Sequence, residues 1–121
     1  MITLFSLVIE PDADRLYAAR SWVAEVCAEW DIDSYVARLA VCELLSNVAK
    51  HTECEKAVVR LYLSEAGPVL EVADTCPTMP KIKDFDLTAE SGRGLAILQT
   101  LTRKIGWNAV DGGGKCVYVL L

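Results

Sequence analysis

The stretch CELLSNVAKHT, residues 42–52, places Glu43, Asn47 and His51 four residues apart in a run that is otherwise largely apolar. Residues four apart on an α-helix are rotated by only about 40°, so these side chains form one slowly winding polar stripe. Leu44 and its apolar neighbours occupy the adjacent arc and face the core. The stretch therefore predicts a core-facing helix, from about residue 34 to residue 50, with polar groups at the rim of the core.

Glu43 and Asn47 need partners if they lie at such a rim, because buried polar groups are costly when unpaired. A carboxylate can accept a proton from water or a hydroxyl, and a carboxamide offers a neutral oxygen to Mg²⁺. The pair thus suits phosphoryl transfer. The same spacing is also typical of a solvated helix edge, so the stripe alone leaves both interpretations open.

Length and composition predict one soluble globular domain over residues 1–121, since 53% of the 121 residues are hydrophobic. The net charge is −5 and no Lys/Arg run is interleaved with aromatics, which argues against nucleic acid as a partner. No apolar run approaches the ~18 residues of a membrane span, and no signal peptide is evident. Five cysteines without a CxxC pair favour reduced thiols in the cytoplasm.

The rest of the chain predicts an alternation of strands and helices. The predicted segments, in order, are a strand at 2–9, helices at 14–30 and 34–50, strands at 56–65 and 68–74, a loop at 75–91, a helix at 92–104, and strands at 105–111 and 115–121. Strands joined largely by hairpins favour a two-layer α/β (α+β) sandwich. In it, a mixed, largely antiparallel sheet is covered by helices on one face.

Two further signals lie around the long loop. Asp74 ends a strand, where its carboxylate can accept a hydrogen bond from an exocyclic amine such as that of adenine. Gly92 and Gly94 lie where the loop enters a helix, so the backbone can approach a phosphate there. Each signal is weak alone, because a strand-end Asp and a glycine-containing loop–helix junction are both common.

Taken together, the segments ELLSNVAKH, VADTCPTMP, SGRGLAIL and GGKCVYVLL resemble, in order and spacing, the motifs of the GHKL ATPase superfamily, which includes histidine kinase catalytic domains. The most similar branch is that of the small anti-sigma-factor serine/threonine kinases. The resemblance covers nearly the whole chain and implies a histidine kinase-like ATPase fold that binds ATP and Mg²⁺. It also implies a sigma factor and an anti-sigma antagonist as protein partners, and is compatible with a homodimer.

The resemblance also implies a role for each matching residue. Glu43 would be the general base, Asn47 the Mg²⁺ ligand and Asp74 the reader of adenine. The hinge of a mobile lid on the phosphate side would consist of Gly92, Arg93 and Gly94.

One departure from the family pattern follows Asp74. The family has alternating glycines there, whereas this chain has Thr75, Cys76 and Pro77. Side chains and a proline stiffen the backbone under the adenine, so weaker nucleotide binding and lid closure are expected. Three hypotheses follow: an anti-sigma-type protein kinase, a binding module that keeps the fold without turnover, and a catalytic domain separated from a histidine kinase. The third lacks a phospho-acceptor helix in this sequence.

Overall fold

The computed structural model describes residues 4–51, 56–74, 93–109 and 114–121. In chain order, the elements are strand β1 (Leu4–Ile9), a short 3₁₀ helix (Ala13–Arg15), helices α1 (Leu16–Glu29) and α2 (Tyr35–His51), strands β2 (Ala57–Ser64) and β3 (Gly67–Asp74), helix α3 (Arg93–Leu101), and strands β4 (Lys104–Ala109) and β5 (Lys115–Leu120). This order is the predicted one, with small shifts at the element ends. The predicted loop at 75–91 lies outside the described residues.

The strands form one sheet in the order β1-β2-β3-β5-β4, and each of its four pairings is antiparallel. After β3 the chain passes through α3 to the outer edge of the sheet and forms β4 there. It then returns as β5, which lies between β4 and β3. The predicted two-layer fold, with a largely antiparallel sheet covered by helices on one face, is confirmed.

The core lies between the helices and one face of the sheet. Side chains alternate along a strand, so every second residue of β2 points toward the helices. Up to Leu61 those residues are buried together with their partners on β3 and β5, as are Leu44 and Leu98 on the helices. The buried strand residues on this face are Ala57, Val59, Leu61, Leu70, Val72, Val117 and Val119. The alternation therefore places all three described α-helices on the same side.

The break between α1 and α2 follows from the residues between them. Asp31 has φ 54°, and the Ile32 amide donates to the Cys27 carbonyl at 3.0 Å, which closes the end of α1. Asp33 then caps α2, because its Oδ1 accepts a hydrogen bond from the Tyr35 amide at 3.1 Å. The capped start therefore fixes where α2 begins.

The sheet face turned away from the helices has a polar network of its own. Arg60 Nη1 lies 3.1 Å from Glu71 Oε1, and Tyr62 donates to Glu71 Oε2 at 3.4 Å. Burial, followed by the nearby Glu71 carboxylate, raises the pKa of the Cys116 thiol to about 11. The network joins three neighbouring strands on the face opposite to α2.

Candidate functional site

The polar stripe of α2 is present in the structure. Glu43 and Asn47 are both half-buried on this helix. Asn47 Nδ2 donates a hydrogen bond to the backbone carbonyl of Glu43 at 2.9 Å. Because the amide nitrogen is engaged by the helix itself, Oδ1 of the same group is directed away from that carbonyl, and it can only accept.

Asp74 is the last residue of β3 and its side chain faces the helices. The residue is only 3% exposed, and its Oδ1 is a buried atom without a hydrogen-bond partner among the described residues. Buried carboxylate oxygens are nearly always hydrogen-bonded, because an unpaired one costs about 1–3 kcal/mol. An orphaned oxygen at the end of a strand therefore indicates a place where a ligand donor fits.

Lys115 is the charged neighbour of Asp74. It begins β5, is 6% exposed, and its Nζ lies 4.0 Å from Asp74 Oδ2. Sequence reasoning missed this lysine, although one signal could have found it. In KCVYVLL the two-residue alternation places Lys115 on the same face as the buried Val117 and Val119.

The topology brings α2, β3 and α3 together. Helix α2 packs against both β3 and α3. The chain leaves α2 at His51 and starts β2 at Ala57, which pairs with Asp74. The six Cα–Cα steps from His51 to Ala57 span at most about 22 Å, so Asp74 lies at the same end of the fold as the C-terminus of α2.

The predicted hinge residues lie at the start of α3. Arg93 is the first residue of this helix and Gly94 the second, whereas Gly92 lies outside the described residues. The amides of a first helical turn are free to bind an anion. The structure thus places Glu43 and Asn47 on α2, which packs against both α3 and the strand that ends in Asp74. The lid itself stays a prediction.

A comparison with protein-family models adds the decisive observation. The model described as the histidine kinase-like ATPase domain matches residues 9–120. The chain belongs to the histidine kinase-like ATPase family. No curated protein matches the sequence at a significant level.

Membership of the histidine kinase-like ATPase family implies ATP binding, and the GHKL resemblance is confirmed at that level. The fold agrees, since this domain has a five-stranded antiparallel sheet with its helices on one face. None of the described helices is both long and apolar enough to span a bilayer.

This histidine kinase-like ATPase domain also has a groove between α1 and α2 that contains none of the predicted site residues. Its volume is about 360 Å³, and it is lined by Tyr17, Arg20, Ser21, Ala24 and Arg38. Neither arginine forms an ion pair with another residue in the described ranges. The groove is a basic surface on a chain with a net charge of −5.

Proposed function

We propose that the chain binds Mg-ATP at the end of the sheet that holds Asp74, and uses it as a protein serine/threonine kinase of the anti-sigma-factor type. In this role it sequesters a sigma factor and phosphorylates an anti-sigma antagonist. Family membership supports ATP binding, and the resemblance of the motifs supports the kinase branch.

The observation that carries the proposal is the unpartnered Oδ1 of Asp74. The exocyclic amine of adenine is a hydrogen-bond donor, and an ionised carboxylate only accepts, so the two groups are complementary. A base bound here would satisfy the oxygen and remove the cost of leaving it unpaired. The residues present therefore fit an adenine nucleotide.

Asn47 fits the role of Mg²⁺ ligand. Its amide nitrogen donates to the Glu43 carbonyl, which leaves Oδ1 for a cation. Mg²⁺ is commonly held by one or two protein oxygens together with substrate phosphates and water. When bound, the ion would neutralise charge on the phosphates while Asn47 fixes its position relative to α2.

Glu43 is the proposed general base. In phosphotransfer, the oxygen of a serine or threonine hydroxyl attacks the γ-phosphorus, and the bond from that phosphorus to the β,γ-bridging oxygen breaks. ADP leaves, and Glu43 accepts the hydroxyl proton. A half-buried carboxylate one helical turn before Asn47 is suited to this role, because the helix holds both groups on one face.

The test is calorimetric titration of Mg-ATP into wild type and Asp74→Asn. Loss of a hydrogen bond to a charged group costs about 1.5–3 kcal/mol, so affinity should fall by roughly 10- to 150-fold. Asp14→Asn, with the same change of charge at an exposed position, should bind like wild type. Equal affinity in Asp74→Asn and wild type would remove Asp74 from the site.

The basic groove between α1 and α2 favours a second candidate, a binding module that captures a partner without turnover. Its two arginines offer planar donors to the carboxylates of an acidic protein segment. The sequence after Asp74 also favours this candidate. Thr75, Cys76 and Pro77 replace the glycines of the family and are expected to weaken nucleotide binding.

Phosphotransfer and capture separate the two candidates. With candidate antagonist proteins, the kinase transfers γ-³²P phosphate from ATP, whereas the binding module only forms a complex. In the second case, complex formation should be lost in Arg20→Glu with Arg38→Glu and kept in the exposed-site control Arg15→Glu. Wild-type protein that binds ATP and the antagonist but transfers no phosphate would favour the binding module.

A further inference from the structure

Lys115 is a buried lysine whose position the predicted ATP site does not explain. It is 6% exposed and shares the helix-facing side of β5 with Val117 and Val119. Lysine is almost never this buried unless its ammonium group is paired. Its partner is Asp74, yet the 4.0 Å from Nζ to Oδ2 exceeds the length of about 2.7–2.9 Å of a charge-assisted hydrogen bond.

A purely structural role does not account for the Lys115–Asp74 pair. A buried ion pair offsets the desolvation of two charges only if its geometry is excellent and further hydrogen bonds satisfy the remaining atoms. Here the two charged atoms are too far apart for a hydrogen bond, and Asp74 Oδ1 has no partner in the described part of the chain. Within the described residues, the pair therefore keeps open hydrogen-bonding capacity that a ligand can fill.

The two side chains offer opposite hydrogen-bonding capacity to that ligand. A carboxylate only accepts, and an ammonium group only donates. In adenine the N6 amine is a donor and lies between two acceptor ring nitrogens, N1 and N7. Each side of the amine therefore presents a donor next to an acceptor, which matches the carboxylate and the ammonium group. One base can therefore satisfy both members of the pair at once.

We propose that Lys115 is a specificity-determining residue that reads adenine together with Asp74. Asp74 Oδ1 accepts a hydrogen bond from the N6 amine, and Lys115 Nζ donates one to the neighbouring ring nitrogen. This inference rests on the proposed ATP binding and adds a second base-reading group to it. A base with a donor at that ring position is rejected, because its N–H would face the ammonium group.

The test measures coupling between Lys115 and single atoms of the base. Mg-ATP, 1-deaza-ATP, 7-deaza-ATP and the triphosphate of purine riboside are titrated into wild type and Lys115→Met. In wild type, one of the two deaza analogues should bind roughly 10- to 150-fold more weakly than ATP, the range for a hydrogen bond to a charged group. In Lys115→Met that analogue and ATP should bind equally. Purine riboside triphosphate, which lacks the amine read by Asp74, should stay weak in both proteins.

Two controls keep the test decisive. Lys115→Gln retains a donor and should retain part of the discrimination, and the wild-type comparison stands even if Lys115→Met does not fold. If wild type bound ATP and both deaza analogues equally, the role of Lys115 would be overturned while the proposed ATP binding would stand. Uniform weakening of all four nucleotides in Lys115→Met would have the same meaning. Absence of any ATP binding by wild type would overturn the proposed function, and this inference with it.

Discussion

We predict that the Asp74–Lys115 pair costs folding stability and contributes to nucleotide binding. Substitution of the two residues can measure both effects. Two charges 4.0 Å apart attract by about 4 kcal/mol at an effective dielectric constant of about 20. Removing one partner of a buried pair leaves the other uncompensated and costs about 3–5 kcal/mol. We therefore expect Asp74→Leu and Lys115→Met each to destabilise the nucleotide-free protein by about this amount.

The double variant Asp74→Leu with Lys115→Met should regain all of that loss. Two apolar side chains of similar size carry no desolvation penalty, and replacing a buried ion pair in this way is often neutral or stabilising. Removal of Asp74 Oδ1 should stabilise the double variant further. A buried oxygen without a hydrogen-bond partner destabilises the fold by about 1–3 kcal/mol. The double variant should be at least as stable as wild type and should not bind ATP.

Urea unfolding followed by tryptophan fluorescence measures these changes, since Trp22, Trp30 and Trp107 are partly buried against the core. With an m-value of about 1.5 kcal/mol per M, a loss of about 3 kcal/mol lowers the midpoint by about 2 M. The coupling energy comes from the double-mutant cycle over Asp74 and Lys115.

The matched control is the surface pair Glu10–Arg15, with 3.6 Å between its charged atoms and both side chains about half exposed. The cycle over that pair should give about 0.2–1 kcal/mol, because solvent screens exposed charges. If the Asp74 and Lys115 substitutions were additive within error, or coupled as weakly as the surface pair, the reasoning about a buried interacting pair would be refuted.

Three further predictions concern other residues. Glu43→Gln should leave ATP affinity nearly intact while the rate of phosphotransfer falls by about 10²- to 10⁴-fold, as measured by calorimetry and ³²P transfer; a large loss of affinity would contradict the role of general base. The pKa of Cys116, raised from 9.0 to about 11, means that the fold favours the neutral thiol, so its contribution to stability is complete below pH 9 and is lost as pH rises to about 11. The urea midpoint should therefore fall less between pH 9 and 11 in Cys116→Ala than in wild type, and an equal fall in both proteins would contradict this. Gly106→Ala places a methyl group 2.5 Å from the hydroxyl of Tyr118 and should cost about 1–3 kcal/mol in urea unfolding, but almost nothing in a Tyr118→Leu background.

The element order could be predicted from sequence because local patterns determine it. Alternating apolar residues indicate the strands, and the DIDS break at residues 31–34 separates the first two helices. The structure explains that break by the positive φ of Asp31 and the cap from Asp33, both of which depend on neighbouring residues only. The position of Glu43 and Asn47 on one face of α2 could be predicted in the same way, from spacing along one helix.

Only one of the two neighbours of β5 could be predicted in this way. Reading hairpins along the chain pairs β4 with β5, but the pairing of β5 with β3 joins strands separated by residues 75–114. The burial of Lys115 could have been inferred from alternation, whereas its contact with Asp74 required that long-range pairing. Contacts between distant segments depend on how whole elements pack, which local spacing does not specify.

The inner position of β5 also has a consequence for how the molecule assembles. Since β5 lies between β3 and β4, the sheet cannot close until this strand, the last in chain order, is added. Helices α1 and α2 can already pack on β2 and β3, while β3 presents an open edge and β4 has no strand to pair with. Such late, long-range pairing slows folding and exposes strand edges to other chains during synthesis. The nascent chain thus stays prone to association with other copies until β5 is added. The pairing of β5 with β3 completes the sheet, and it also brings Lys115 to Asp74.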